Sequence, residues 1–343
     1  MTTADPQSLP APVQPGQYDP GAAAGAAAAS KPRTLWSDAW QKIRRDRIAL
    51  LCAIVLLAYV AVALIGYTGV LSSETVVDGA TVPGLIDRTI GTSNLPPSWR
   101  NPETGSLSPG YWLGLDFMGR SVFWRLVYGT RVALTVAVLA MIVEIVIGFT
   151  LGALAGYFGG WVDALITWLF STVQSVPWIL LMISFAYVLK GQTVWGYELA
   201  GIPSIVLALG LTTWVGLCRL IRGEVLKHRD RDYVVAARAT GMGHGRIVFR
   251  HILPNVFHLV IINFALGLAA FVHAEVILSF LGLGVTDVPS WGRMIDDAKL
   301  ELLKGVWWPL LASTVAIFIF SLAVNLFGDA LRDALDPRLR GTD

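Results

Sequence analysis

Residues 233–255 read YVVAARATGMGHGRIVFRHILPN, a charged and glycine-broken stretch between two long apolar runs. Tyr233, Ala236, Ala237 and Thr240 fall at i, i+3, i+4 and i+7, which predicts one helical face of mostly small residues. Gly241, Gly243 and Gly245 follow in close succession. Each glycine costs a helix interior about 1 kcal/mol relative to alanine, so three together predict a break. Ile247, Val248 and His251 restart an apolar pattern. Pro254 then suits the first turn of the next span, where its missing N–H would lack a partner anyway. The expected unit is a helix, a hinge and a second short helix, held between two spans. A ten-residue helix is about 15 Å long, a size suited to a groove on another protein. A loop that merely joined two spans would need none of this pattern.

The surroundings are lipid-soluble. The chain has 343 residues, 55% hydrophobic and 15% charged, with a mean hydropathy of +0.61. Soluble domains are about 45–50% apolar and about 25% charged. Six apolar segments are each long enough to cross a bilayer, which takes about 20 residues. They run over 48–67, 132–156, 164–189, 199–218, 256–283 and 305–328. The first is read as an uncleaved span: its 20 uncharged residues exceed a signal-peptide core of about 7–15. Cys52 and Cys218 lie in or beside separate apolar runs and are read as small buried hydrophobes. A net charge of +2 gives no reason to expect nucleic-acid binding.

Residues 1–33 are rich in Ala, Pro, Gly and Gln and predict a disordered tail. A basic segment from Lys31 to Arg47 follows, with Trp36, Trp40 and Ile43 at helical spacing, as in a helix lying on the membrane surface. Six Lys or Arg fall in this N-terminal region, eight in the 219–250 loop and three in the C-terminal segment, of 26 in all. That bias predicts cytoplasmic N- and C-termini and a cytoplasmic 219–255 loop. The expected organisation is a tail over 1–47, a first span over 48–67 and an outer loop over 68–130. A membrane core follows over 131–330 and a short tail over 331–343.

The outer loop opens with turn-forming residues and ends in YWLGLDFMGRSVFWRLVYGTR (111–131), which carries Asp116, Arg120, Arg125 and Arg131. It is either an interfacial aromatic anchor or a rigid collar that meets a partner outside. Met294, Ile295, Ala298 and Leu302 predict a short amphipathic helix near the other outer loop, packed on the protein or docking a partner.

The order Ala236-Ala237, Gly241, then His251-Ile252-Leu253-Pro254-Asn255 resembles the EAA motif of ABC importer permeases. The C-type subunit of the dipeptide, oligopeptide and nickel branch is the nearest likeness. The resemblance extends to GLDFMGRSVFWRLVYGTR (114–131), AGYFGGWVD (155–163) and SVPWILL (175–181). It continues in EVILSFLGLG (275–284), PSWG (289–292) and GDALRDALDPR (328–338). Val235 stands where the motif usually has Glu, and Ser121 where an acidic residue is common.

The resemblance implies an all-α, six-span, type I ABC importer permease in a bacterial inner membrane. Its partners would be a second permease, two cytoplasmic ATPase subunits and an extracytoplasmic substrate-binding protein. The cargo would be di- or oligopeptides, with nickel or another small solute as the alternative. Ala236, Ala237, Gly241, Met242, Gly243, Ile252, Leu253 and Pro254 would dock the ATPase. Asp116, Arg120, Arg125 and Trp291 would make extracytoplasmic contacts.

ATP chemistry is not expected on this chain. A phosphate-binding loop needs Gly-Lys, and none of its six lysines follows a glycine. ATP and Mg would bind the partner subunits, so neither a bound cofactor nor enzyme activity is expected here. Glu144 lies mid-span, and an ionisable group at that depth is a functional candidate: it either lines the pathway or is a protonated carboxyl bonded to a neighbouring helix. Glu275 and Gln174 are further pathway or gating candidates, with Pro177 placed to kink its span. His228, His244 and His251 lack a carboxylate or Cys that would complete a metal site, and His273 with Ser279 makes no convincing hydrolytic dyad. A self-sufficient secondary transporter is the rival reading, and it would call for repeated broken helices in two halves.

Overall fold

An uninterrupted apolar run behind an aspartate makes a long helix. In the computed structural model, which describes residues 42–335 apart from Asp78, Gly79, Trp195 and Thr286, α1 spans Arg47–Tyr67. Asp46 caps it, its Oδ1 accepting from the N–H of Ile48 (2.8 Å) and Ala49 (3.3 Å). Small residues, Ala49, Cys52, Ala63 and Gly66, turn inward, while Ile48, Leu51, Leu57 and Leu64 face outward as a lipid-facing side would. The readings for the N-terminal tail, Trp36, Trp40 and residues 336–343 lie outside the described residues.

The next helix, α2, spans Val122–Phe158, 37 residues or about 55 Å. It starts ten residues before the apolar run, inside what reads as outer loop, because its charges find partners elsewhere in the fold. Arg131 donates to the Gly66 carbonyl (2.9 Å) and lies over the rings of Tyr67 and Tyr128. Ser121 is the N-cap, accepting from Trp124 N–H (3.3 Å) and donating to the Gly110 carbonyl (2.7 Å). Ser121 therefore starts the helix.

The apolar runs over 164–189 and 199–218 are not single helices. The first is α3 (Gly160–Gln174) and α4 (Trp178–Leu189), bent by 90° where Pro177 removes a backbone donor. The second is α5 (Ile202–Thr213) and α6 (Val215–Arg229), bent by 43° at Trp214 and reaching eleven residues beyond Cys218. Beyond α6 come α7 (Asp232–Ala239), α8 (His244–Ile247), a wide π-helical turn over Val248–Ile252 and α9 (Leu253–Phe280). Two more helices close the chain, the surface α10 (Trp291–Leu302) and α11 (Trp308–Leu335). Among the described residues four helical runs are long and apolar enough to span a membrane, and six if each bent pair is one span.

The stripe of α10 that packs inward is Trp291, Met294, Ala298 and Glu301, while Leu302 of the predicted stripe is exposed. This helix therefore belongs to the chain's own core. That core gathers Val132, Val136, Met141, Leu209, Val272, Leu278, Trp291 and Phe320 from five helices.

A ladder of small residues sets a close approach between α2 and α6. Gly148, Gly152 and Gly156 repeat every fourth residue on α2 and face α6. A Cβ on them would stand 2.9 Å from the Trp214 carbonyl oxygen, 2.5 Å from that of Cys218 and 2.8 Å from that of Arg222. Within a membrane, such small-residue repeats let helix backbones meet.

Candidate functional site

The break-forming glycines act in different ways. The end of α7 is a Schellman closure: Met242 N–H donates to the Ala237 carbonyl (3.2 Å) and Gly241 N–H to that of Arg238 (2.9 Å). Gly241 sits at φ +75°, the left-handed region that side chains with a Cβ resist. Gly243 is extended and starts α8, whereas Gly245 lies inside α8 and takes no part in the break. The reading of three successive breakers is corrected to two, because one turn reverses the chain and the helix resumes at once.

The helical face predicted on α7 is also divided. Val234 and Ala237 are buried against Ile221, Val225, Ile247, Ile252 and Val256. Tyr233, Ala236 and Thr240 stay exposed, beside Val235 at 52% exposure. The bundle therefore grips α7 along the Val234–Ala237 edge and leaves the Ala236 side free. Met242 and Leu253 pack partly against this same cluster. Tyr157 at the end of α2 is hydrogen-bonded to His244 (2.8 Å), and His228 to Tyr233 (2.8 Å). Arg222 grips Asp163 with two bonds, 2.5 and 2.7 Å. The π turn before α9 has a cause in Pro254, whose ring would clash with the carbonyl four residues back in a tight helix. The elbow is thus anchored to α2, α6 and α9.

The pathway candidates occupy separate places. Glu144 is buried between α2 and α9, where Asn263 Nδ2 approaches one oxygen at 3.5 Å and the other oxygen has no partner. Glu275 is fully buried and accepts from Ser279 Oγ (2.6 Å). His273 pairs with Ser321 (2.8 Å) rather than Ser279. Gln174 is exposed at the end of α3 and accepts from Arg219 of α6.

At the opposite end of α2 the collar residues form one ionic cluster. Asp116 accepts from the N–H groups of Met118 and Arg120 (both 2.9 Å) and from Arg120 Nε (2.8 Å). Arg125 bridges Asp116 (3.8 Å) and Asp297 (3.4 Å), and Glu301 accepts from Phe117 N–H (3.0 Å). Three proposed outer contacts are corrected here. Asp116 and Arg125 are buried, and Trp291 is 0% exposed, its indole donating to the Leu126 carbonyl (3.1 Å). All three hold the collar from within, and Gly129 abuts the Trp291 ring.

Burial, with Asp116 and Asp297 nearby, pushes the Glu301 carboxyl above its ordinary value, against the pull of Phe117 N–H and Arg120. A raised carboxylate stabilises the fold when protonated, so that stability is lost as pH rises beyond the usual carboxylate range. Glu301→Gln is expected to raise the melting temperature at pH 8 by a few degrees, with the gain shrinking at pH 5. Fluorescence-monitored melting in nanodiscs checks this, and an equal shift at both pH values would contradict it.

Three features escape a reading of the sequence. Asp297 and Glu301 pair across more than 170 residues, which no local pattern reveals. The Tyr157–His244 bond is equally nonlocal. The glycine ladder went unread as well, although a four-residue repeat inside an apolar span is the signal that could have found it. Among the described residues no cluster of three or more His, Cys, Asp or Glu could hold a metal ion.

The geometry meets its counterpart in a family comparison. Residues 148–341 match the family described as binding-protein-dependent transport system inner membrane component. The chain belongs to that family. Residues 34–97 also match the N-terminal TM domain of oligopeptide transport permease C. The permease is 34% identical over 304 residues to the dipeptide transport system permease protein DppC of Bacillus subtilis (strain 168), covering 88% of this chain and 86% of that one. It is 32% identical to the glutathione transport system permease protein GsiD of Pectobacterium atrosepticum, over 90% and 93% of the two chains. It is 29% identical to the oligopeptide transport system permease protein OppC of Bacillus subtilis, over 96% and 99%. This permease is a multi-pass inner-membrane component with an all-α core.

Proposed function

We propose that this permease is one half of the translocation unit of an ATP-driven importer that brings short peptides into the cytoplasm. The observation that carries this reading is the elbow: an exposed α7 face, a left-handed glycine and a short α8, gripped from behind by α2, α6 and α9. Such a part makes sense where another protein pushes on it. Ala236, Gly241, Met242 and Gly243 would present the elbow to an ATPase groove. Ile252, Leu253 and Pro254 would carry its motion into α9, and Ala237 would fasten it to the bundle. The names of the three relatives support peptides as cargo. The excess of Lys and Arg over 227–250 supports a cytoplasmic elbow and cytoplasmic termini.

In this reading the complex holds a second permease, two ATPase subunits that bind ATP and Mg, and an extracytoplasmic binding protein. This chain binds no cofactor. The test is dipeptide uptake by proteoliposomes containing the full complex, against liposomes containing this chain alone. Uptake that requires ATP and every subunit is expected. Uptake by the isolated chain on an ion gradient would overturn the proposal in favour of a secondary transporter.

A further inference from the structure

The two broken spans break beside one another, and their breaks line a cavity. The kink between α3 and α4 contributes Val173, Gln174, Val176 and Pro177, and the bend between α5 and α6 contributes Thr213 and Gly216, around about 380 Å³. Gln174, Ser175, Val176, Pro177 and Gly216 are exposed, so the chain itself does not cover this place. Interrupted backbone at membrane depth is tolerated where protein buries it or where it lines a water-filled cavity. Gln174 lies fourteen residues into its span from Gly160, about 21 Å along the helix axis.

Arg219 stands beside this cavity, bonded to one of the residues that line it. Its guanidinium donates to the Gln174 side-chain oxygen and lies 5.3 Å from the Phe170 ring centroid. Among the described residues no carboxylate forms a salt bridge with it. One turn along α6, Arg222 is by contrast fully engaged by Asp163. An intramembrane arginine faces a bundle interior or a watery space and marks a solute path. Guanidinium geometry matches a carboxylate, which two parallel N–H groups can grip.

We infer that Arg219, steadied by Gln174 at the double break, meets the carboxylate of the solute as it crosses, making this stretch of the pathway selective for anionic ends. The inference rests on the peptide reading above, because a peptide carries a terminal carboxylate. Arg219 supplies the positive charge, Gln174 orients it, and the breaks leave room beside it.

The test uses the assembled complex in nanodiscs with Cys52 and Cys218 replaced by alanine. A cysteine at Gly216, where an added Cβ meets nothing within 4 Å, serves as reporter in the cavity. Its labelling rates with an anionic ethylsulfonate and a cationic trimethylammonium thiosulfonate are compared. With Arg219 present the anionic reagent is expected to gain roughly tenfold over the cationic one relative to Arg219→Gln, while Arg219→Lys keeps most of the preference. A dipeptide-loaded binding protein with ATP should slow the labelling. No labelling by either reagent, or a ratio unmoved by Arg219→Gln, would overturn the inference. So would a preference present in phosphatidylcholine and lost in phosphatidylglycerol, since a lipid headgroup would then occupy the arginine. Failure of the peptide reading shows separately, as absence of dipeptide uptake by the wild-type complex.

Discussion

Replacing Gly241 by proline is expected to abolish solute-stimulated ATP turnover by the assembled complex while the chain still inserts in the membrane. Gly241 holds φ at +75°, and the proline ring locks φ near about −65°. The substitution also removes the N–H that closes on the Arg238 carbonyl. Both changes redirect α7 relative to α8, and the α7 face no longer stands where a partner groove would find it. Gly241→Ala keeps the N–H but pays a left-handed penalty of about 1–2 kcal/mol, so a partial loss of turnover is expected. An added Cβ there meets nothing within 4 Å, which leaves the backbone angle as the cause. ATP hydrolysis in nanodiscs, with and without solute-loaded binding protein, separates the outcomes. Turnover unchanged in the proline variant would remove the elbow from the mechanism.

The second large effect is expected at Gly152. Leucine there must displace the Cys218 carbonyl oxygen, 2.5 Å from where its Cβ would stand, together with the Ile221 Cβ at 3.0 Å. Overpacking costs about 1–3 kcal/mol where side chains can yield, but a helix backbone yields little. Gly152→Leu should therefore separate α2 from α6 and leave almost no monodisperse protein in detergent extracts. Gly223→Ala on α6 meets nothing within 4 Å and serves as the control with normal yield. Normal yield from Gly152→Leu would show that the ladder is not a close contact.

Much of this architecture was legible because its signals are local. Length and hydropathy locate a span wherever the apolar run is continuous, as in α1. Glycine spacing and a proline mark the elbow, since both act on their own backbone. The misplaced features are those decided at a distance. Arg125 and Arg131 read as loop charges, yet Asp116, Asp297 and a backbone carbonyl satisfy them and allow α2 to begin at Val122. Hydropathy joins α3 and α4 into one run, and the direction taken after Pro177 depends on neighbours it does not see. On α7 periodicity identified a helix, but the packing partners chose Val234 and Ala237 as its inner edge. Asp297 and Glu301 became collar residues when α10 folded back on α2.

The 37-residue helix α2 touches both working ends of the molecule: Arg125 sits in the ionic collar near its start and Tyr157 holds His244 near its finish. A continuous helix of that length behaves as a beam. In the importer proposed above, a tilt imposed at the collar by a delivery protein would displace the far tip in the same motion, with no relay of intermediate contacts. Timing between capture and power stroke would then be a matter of leverage, with the glycine ladder as the fulcrum.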